Sequence, residues 1–269
     1  GYFVLNNDRI IQTAGGRLIV PLGFHRSRGT VDDQSSWDSH AIDVWLYSDD
    51  EGATWHESPT WWGLPVASGS GLQEPGVVQL ADGSLFGWSR TDVGVQWATR
   101  SQDNGTTWSA PYPTDLQSPN SPASIKRLPG SPALLAVFND HSGRVPKPAG
   151  ANRRAPLVIA FSTDGAKSWG PSQVIEDDLA GWYCYTAIHF TSDAVLLAYV
   201  AGSLLSMGRL AWHGRLLGVL VNAFFLGINP VLPRSWRREI RPEMLTRFRL
   251  GGSIFAGTCV AALSLYPIV

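Results

Sequence analysis

An eight-residue pattern, Ser-x-Asp-x-Gly-x-x-Trp, occurs three times in this chain and restricts its fold more than any other feature. The copies occupy 48–55, 101–108 and 162–169. In such a pattern the Ser and Asp side chains bond nearby backbone N–H groups, Gly allows a positive φ, and the Trp ring packs beneath the turn. We therefore interpret each copy as a tight turn between two strands. The three tryptophans are expected to be structural: Trp55, Trp108 and Trp169.

The third copy departs from the pattern. Ala166 stands where Gly is expected, and Gly165 comes one position early. This turn is expected to have either a shifted geometry or a strained alanine, because a left-handed conformation is costly for any residue with a Cβ.

The surrounding sequence predicts an all-β propeller. Ala81-Asp82-Gly83 between two apolar stretches is a hairpin signal, and the copies begin at 48, 101 and 162. This spacing fits the four short antiparallel strands of one propeller blade. Residues 1–200 would then supply about three to four blades, whereas a closed ring takes roughly four to eight. The polar stretch 24–43 is predicted to be a long loop, either functional or mobile.

Composition separates a second segment, 201–269. It carries eight Arg and two Glu but no Lys or Asp, within a chain of net charge −1. The apolar stretches 216–231 and 250–269 have about the length of membrane-spanning helices, and the Arg-rich stretch between them would be cytoplasmic. A membrane hairpin, a buried helix or strand pair, and sequence foreign to the propeller all fit. Scattered basic residues argue against nucleic-acid binding, and two cysteines exclude a disulfide framework.

One motif adds a specific resemblance. Gln73-Glu74-Pro75-Gly76-Val77-Val78-Gln79-Leu80-Ala81-Asp82-Gly83-Ser84-Leu85, with Arg90 sixteen residues after Glu74, resembles the bacterial-type sialidases, whose Asp-box propellers have six blades. The resemblance covers about residues 1–200. It implies an exo-acting enzyme that releases terminal sialic acid with retention of configuration. It also implies sialylated glycans as partners, a secreted or cell-surface location, and neither metal nor cofactor.

The same resemblance assigns roles to four residues. Tyr185 matches the nucleophile, Glu74 matches the acid that lies beside it, and Arg90 and Arg154 match two arginines of a triad that holds the substrate carboxylate. The chemistry is consistent with these residue types. A sialoside carries a carboxylate on its anomeric carbon, so a carboxylate nucleophile would meet like charge, whereas a phenol activated by Glu does not. A tyrosine nucleophile is a recognised exception among glycosidases, and a guanidinium binds a carboxylate bidentately.

Each assignment has a structural alternative. Glu74 can be a solvated loop carboxylate, and Arg90 can simply pair with Asp92. Arg153 competes with Arg154, and Tyr183 competes with Tyr185, because buried aromatic residues in β proteins usually belong to the core.

The segment with the first triad arginine and the acid/base aspartate of sialidases is not found in the sequence. Asp32, Asp33 and Asp38 are the candidate proton donors, although no motif supports them. We therefore expect weak or no turnover. A non-catalytic propeller that binds glycans or protein is the alternative function, and a membrane-anchored β domain is a third. Gly1-Tyr2-Phe3-Val4-Leu5 has no basic n-region, so no signal peptide is expected in this chain.

Overall fold

The structure, a computed structural model, describes residues 1–27, 29, 37–149, 153–192, 194–203 and 260–267. These residues form strands and turns and contain no helix. The sixteen strands are β1 (Tyr2–Val4), β2 (Ile11–Gln12), β3 (Leu18–Ser27), β4 (Trp37–Ser48), β5 (His56–Glu57), β6 (Gln73–Gln79), β7 (Leu85–Arg90), β8 (Val95–Ser101), β9 (Tyr112–Gln117), β10 (Ser124–Arg127), β11 (Leu134–Asn139), β12 (Leu157–Ser162), β13 (Gln173–Glu176), β14 (Gly181–Phe190), β15 (Ala194–Ser203) and β16 (Val260–Pro267).

The strands are arranged in four sheets that follow one another along the chain. The first has the order β1-β3-β4-β5, with β2 also paired to β3. The second is β6-β7-β8-β9, the third is β10-β11-β12-β13, and the fourth is β14-β15-β16. Each of the first three sheets therefore contains one four-strand blade. The predicted all-β architecture of about three to four propeller blades is confirmed.

The three repeats form the same turn, each leading into the last strand of its blade. Their serine Oγ atoms accept hydrogen bonds from the backbone N–H of Gly52 at 2.9 Å, Gly105 at 2.8 Å and Ala166 at 3.0 Å. Ala166 has φ 63°. The third turn is therefore not shifted: it keeps the common geometry with an alanine in the left-handed region.

The core lies between successive sheets. Trp108, from the second repeat, stacks on Trp45 of the first sheet with ring centroids 4.5 Å apart. Trp169, from the third repeat, packs among buried residues of the second and third sheets. Fully burying such large apolar side chains stabilises a fold by about 1.5–3 kcal/mol each. Trp55 of the first repeat differs from expectation: 43% of it is exposed, because its sheet is the first of the described sheets and no earlier one covers it.

The prediction of a loop over 24–43 is wrong at both ends. Strand β3 continues to Ser27 and β4 begins at Trp37, with these two residues paired. Residues at the start of β4 alternate between exposed and partly buried positions, so a polar sequence is compatible with the strand. The longer strands bring His25 and Asp38 into the blade.

Most of the 201–269 segment, including 216–231, lies outside the described residues. Within 250–269 the described part is strand β16, next to β15, rather than a helix. In the described ranges no helix has the length and apolar character needed to cross a membrane. The contacts divide the chain into two units, Gly1–Val200 with Ala262–Val269, and Ala201–Ala261.

Candidate functional site

Glu74 and Arg90 meet at one end of the β6–β7 hairpin. Gln73 pairs with Arg90 and Gly76 with Trp88, so β6 has one extra residue here and forms a bulge. A bulge of this kind redirects a side chain, and Glu74 has φ 50°. Its carboxylate is almost fully buried. Arg90 Nε lies 3.3 Å from Glu74 Oε2, an ion pair whose angle falls outside that of a hydrogen bond.

Tyr185 lies beside the same carboxylate although it belongs to the fourth sheet. Its hydroxyl donates a hydrogen bond to Glu74 Oε1 at 3.3 Å. Like Glu74, it has a positive φ, 55°. Burial, followed by the charge of Glu74, raises the pKa of Tyr185, although two nearby arginines oppose this. The resting phenol is therefore a weak acid that needs a base to take its proton.

The competing tyrosine lies elsewhere. Tyr183 is buried, and its ring packs edge-on against Tyr199 with centroids 6.4 Å apart. Both tyrosines lie on β14, but only Tyr185 is hydrogen-bonded to Glu74.

Arg154 completes the cluster from the segment just before β12. Its guanidinium lies 4.7 Å from the ring centroid of Trp182 and 5.6 Å from that of Tyr185. Nη2 donates to the carbonyl of Asn120 at 3.2 Å, whereas Nη1 is buried without a hydrogen-bond partner. Among the described residues, Arg153 makes no hydrogen bond, ion pair or ring contact with this cluster.

The two arginines are close enough to affect one another. Burial is the main cause that lowers the pKa of Arg90; Glu74 opposes it, and the positive charge of Arg154 adds to it. Arg90 Nε and Arg154 Nη1 are both buried without a hydrogen bond. Arg90 Nε already faces Glu74 Oε2 in an ion pair, whereas Arg154 Nη1 has no such partner in the described part of the chain, and a buried donor of that kind is costly until an anion supplies one.

A cavity of about 330 Å³ opens beside Glu74 and Arg90. Tyr2, His25, Trp37 and Asp38 also line it. Tyr2 lies between two of these rings, stacked on His25 at 4.8 Å and tilted against Trp37 at 4.4 Å. Aromatic side chains with a few polar groups are typical of small-molecule sites. Tyr185 and Arg154 are not among the lining residues; Tyr185 reaches the cavity wall through its bond to Glu74.

Of the three candidate proton donors, only Asp38 lies in the described residues. Its Oδ1 accepts from the backbone N–H of His40 at 3.1 Å, and its Oδ2 lies 3.5 Å from an Arg26 nitrogen. Asp32 and Asp33 lie outside the described residues. Asp92 is bonded to a serine-rich loop, Ser68–Ser70, and is not the partner of Arg90.

The structure adds two residues that no sequence pattern indicated. Asn6 Nδ2 donates to Glu74 Oε2 at 3.4 Å, and Asn7 Nδ2 donates to the carbonyl of Tyr185 at 3.0 Å. Two consecutive asparagines thus contact both members of the Tyr185–Glu74 pair. Within the described ranges no cluster of three His, Cys, Asp or Glu residues is arranged to hold a metal ion.

Comparisons with solved structures show the fold. The Hadza microbial sialidase Hz136 shares 20% identity and a TM-score of 0.52, over 76% of this chain and 38% of the other. The K499G mutant of NanB sialidase from Streptococcus pneumoniae shares 21% identity and a TM-score of 0.53, over 73% of this chain and 28% of the other. The intramolecular trans-sialidase from Ruminococcus gnavus, in complex with oseltamivir carboxylate, shares 22% identity and a TM-score of 0.54, over 75% of this chain and 40% of the other.

The chain thus spans 40% or less of the length of these three proteins. The search of curated proteins gives no match. The profile of the BNR repeat-like domain family matches residues 4–198, the range that contains all three repeats and the four predicted site residues. This match covers well over half of the chain, and the chain therefore belongs to the BNR repeat-like domain family.

Proposed function

We propose that this chain carries the nucleophile and carboxylate-binding part of an exo-α-sialidase-like glycoside hydrolase that acts with retention of configuration. The observation that carries the proposal is the hydrogen bond from the Tyr185 hydroxyl to Glu74 Oε1 at 3.3 Å. In this reaction the phenol oxygen bonds to the anomeric carbon, its proton passes to Glu74, the glycosidic C–O bond breaks, and the departing alcohol takes a proton from a general acid. Water then gives up a proton as its oxygen replaces the Tyr185 oxygen on the anomeric carbon, and Glu74 returns the proton to the phenol.

The charges around the pair favour Tyr185 as the nucleophile and Glu74 as its base. The raised pKa of Tyr185 keeps the phenol neutral at rest, so it can approach an anionic sugar without charge repulsion. The 3.3 Å between the phenol and Glu74 is slightly longer than the roughly 2.6–3.2 Å of a working general base, as is common before substrate binds. The second oxygen of Glu74 lies 3.3 Å from Arg90 Nε, so the carboxylate is held between the phenol and the guanidinium.

The sugar carboxylate is proposed to bind at Arg90 and Arg154. Each has a buried nitrogen without a hydrogen bond, and the positive charge of Arg154 adds to burial, the main cause that lowers the pKa of Arg90. A carboxylate between them would accept hydrogen bonds from both and relieve the repulsion. Sialylated glycans, which carry such a carboxylate at their ends, are therefore the proposed substrates.

The fold is compatible with glycoside hydrolysis of this kind, since proteins described as sialidases share this architecture. Because a fold does not by itself imply a function, a chemical test is needed.

The test is covalent labelling with 2,3-difluorosialic acid. Attack by Tyr185 forms a C–O bond and expels fluoride, which needs no acid, while the remaining fluorine slows hydrolysis of the adduct. Mass spectrometry of the intact and digested protein is expected to place one sugar on Tyr185. Tyr185→Phe should abolish labelling, whereas Tyr183→Phe, which removes a hydroxyl two residues away on the same strand, should not.

Two results would contradict the proposal: equal labelling of wild type and Tyr185→Phe, or an aryl sialoside hydrolysed with inversion, as seen by proton NMR of the first product. Binding of sialyllactose without labelling would instead support the non-catalytic glycan-binding propeller.

A further inference from the structure

His25 occupies the cavity wall next to the proposed catalytic residues, and the proposed roles do not use it. It is 6% exposed and lies on β3. Residues two apart on a strand share a face, and Gly23 is two residues before His25 in a regular part of the β3–β4 pairing. A Cβ at Gly23 would lie 3.4 Å from the backbone nitrogen of Glu74. The face of β3 that bears His25 therefore passes directly beside Glu74.

The hydrogen bonding of His25 fixes which nitrogen can exchange a proton. Its Nδ1 lies 2.9 Å from the backbone carbonyl oxygen of Asp38. A carbonyl oxygen only accepts hydrogen bonds, so Nδ1 carries the hydrogen. Nε2 is then the atom that gains or loses a proton, in the manner of a histidine held by a backbone carbonyl.

The imidazole ring is also held in place. Tyr2 stacks on it at a centroid distance of 4.8 Å and an interplanar angle of 9°. The stack and the Nδ1 hydrogen bond together restrict both torsions of the side chain. A catalytic acid requires such fixed geometry.

The other titratable groups that line the cavity are less suited to proton transfer with a leaving group. Glu74 is engaged by Tyr185 and Arg90. Arg90 cannot donate a proton, because an arginine side chain stays charged in proteins. The pKa of Tyr2 is raised by burial and then by Glu74, which makes its phenol a poorer acid. Asp38 is engaged by Arg26 and by the backbone of His40.

We propose that His25 Nε2 is the general acid and base of the proposed glycosidase. The inference rests on the proposed function. In the first step the phenol proton passes to Glu74 as Tyr185 bonds to the anomeric carbon, the glycosidic C–O bond breaks, and the departing alcohol oxygen takes the Nε2 proton. In the second step water gives a proton to Nε2, its oxygen bonds to the anomeric carbon as the bond to Tyr185 breaks, and Glu74 returns the proton to the phenol oxygen.

The test compares two substrates with His25→Gln. An acid matters when the leaving group is a poor one, as in sialyllactose, and matters little for a 4-nitrophenyl sialoside. We measure kcat/KM, which reports the step in which the aglycone leaves. For sialyllactose it is expected to fall by about 10²–10⁴, and for the aryl sialoside by less than about tenfold. The control is His40→Gln: His40 also bonds a carbonyl through Nδ1, at 3.2 Å from Ser68 O, but does not line the cavity.

The outcomes separate this inference from the function beneath it. If wild-type protein does not hydrolyse the aryl sialoside and is not labelled by difluorosialic acid, the proposed function falls and this inference with it. If wild type hydrolyses the aryl sialoside but not sialyllactose, or if His25→Gln reduces both rates equally or neither, only the assignment of His25 is overturned.

A second measurement does not depend on how the variant folds. Long-range ¹⁵N–¹H NMR of wild-type protein is expected to show His25 with its hydrogen on Nδ1 and to show its Nε2 signal shifting on addition of free sialic acid, while the His40 signal stays. A neutral His25 with its hydrogen on Nε2, or an Nε2 signal unaffected by saturating sugar, would overturn the assignment.

Discussion

Asp43 is a buried carboxyl group whose ionisation should make the stability of this propeller depend on pH. It lies on β4 and is 2% exposed. Ser89 Oγ donates to its Oδ2 at 2.5 Å, whereas Oδ1 has no hydrogen-bond partner. Burial raises the pKa of Asp43 to about 8, and the bond from Ser89 offsets only part of this effect. The folded protein therefore holds a proton here that the unfolded chain releases.

The direction and size of the effect follow from proton linkage. The folded-state pKa lies above the unfolded value of 3.8, so this contribution to stability is fully present below about pH 4. It is lost as pH rises towards about 8, since only the folded state still binds the proton in that window. The slope is about −1.4 kcal/mol per pH unit, or about 3 kcal/mol between pH 5 and pH 7.

The perturbation is Asp43→Asn, which keeps the shape and removes the proton. Urea unfolding followed by tryptophan fluorescence at pH 5, 6 and 7 gives the free energy of unfolding of each protein. The variant's amide nitrogen carries a constant cost if it lacks an acceptor, but the difference between variant and wild type is expected to shift in favour of the variant by about 3 kcal/mol from pH 5 to pH 7.

The matched control is Asp177→Asn, at an exposed aspartate, for which the difference from wild type should stay constant over the same range. If the difference for Asp43→Asn is the same at pH 5 and pH 7, the carboxyl group does not hold its proton in the folded state, and the reasoning from burial is refuted.

Three further substitutions test the repeat turns. Ala166→Gly is expected to stabilise the protein by up to about 1 kcal/mol, because Ala166 has φ 63°. Gly105→Ala should destabilise the protein, since a Cβ there would lie 2.7 Å from Ile19 Cδ1. Urea unfolding measures both effects. The hydroxyl of Ser168 is the main cause that lowers the pKa of Asp164 to about 2, so its contribution is present above about pH 4 and is lost as pH falls towards 2. Thermal unfolding should accordingly show the deficit of Asp164→Asn, measured against wild type, shrinking over that acid range; a constant deficit would contradict the lowered pKa.

The sequence predicted the parts of this molecule that depend on local rules. The repeat pattern is local, because the serine hydrogen bonds that close its turns join residues four positions apart, and so its turns and the blade count could be predicted. The nearness of Glu74 and Arg90 is almost local: a hairpin turn at Ala81–Gly83 brings residues sixteen apart to the same end.

The remainder of the site depends on how blades pack. Tyr185 reaches Glu74 across 111 positions of sequence, and no local pattern predicts such a contact. His25 was hidden for another reason. Its polar neighbourhood indicated a loop, but polar residues on the exposed face of a strand satisfy the same composition. Sequence alone gave the residue type without the strand that carries it.

The backbone itself separates structure from function in this chain. Among the described residues, six that are not glycine have a positive φ: Asp8, Glu51, Glu74, Asn104, Ala166 and Tyr185. Glu51, Asn104 and Ala166 belong to the repeat turns, where the turn type requires it. Glu74 and Tyr185 lie in strands, and Asp8 holds the Tyr185 strand by accepting from the backbone N–H of Ile188 at 2.8 Å.

A left-handed conformation costs a residue with a Cβ about 1–2 kcal/mol, and strands do not need it. Strands β6 and β14 would each be more stable if Glu74 and Tyr185 had ordinary extended conformations. Because the two strained residues are also the two that share a hydrogen bond, the strain coincides with the pair that the proposed chemistry requires. A propeller that served only as a scaffold would not require strain at these two residues. The strained pair therefore favours a reactive site over a purely structural one.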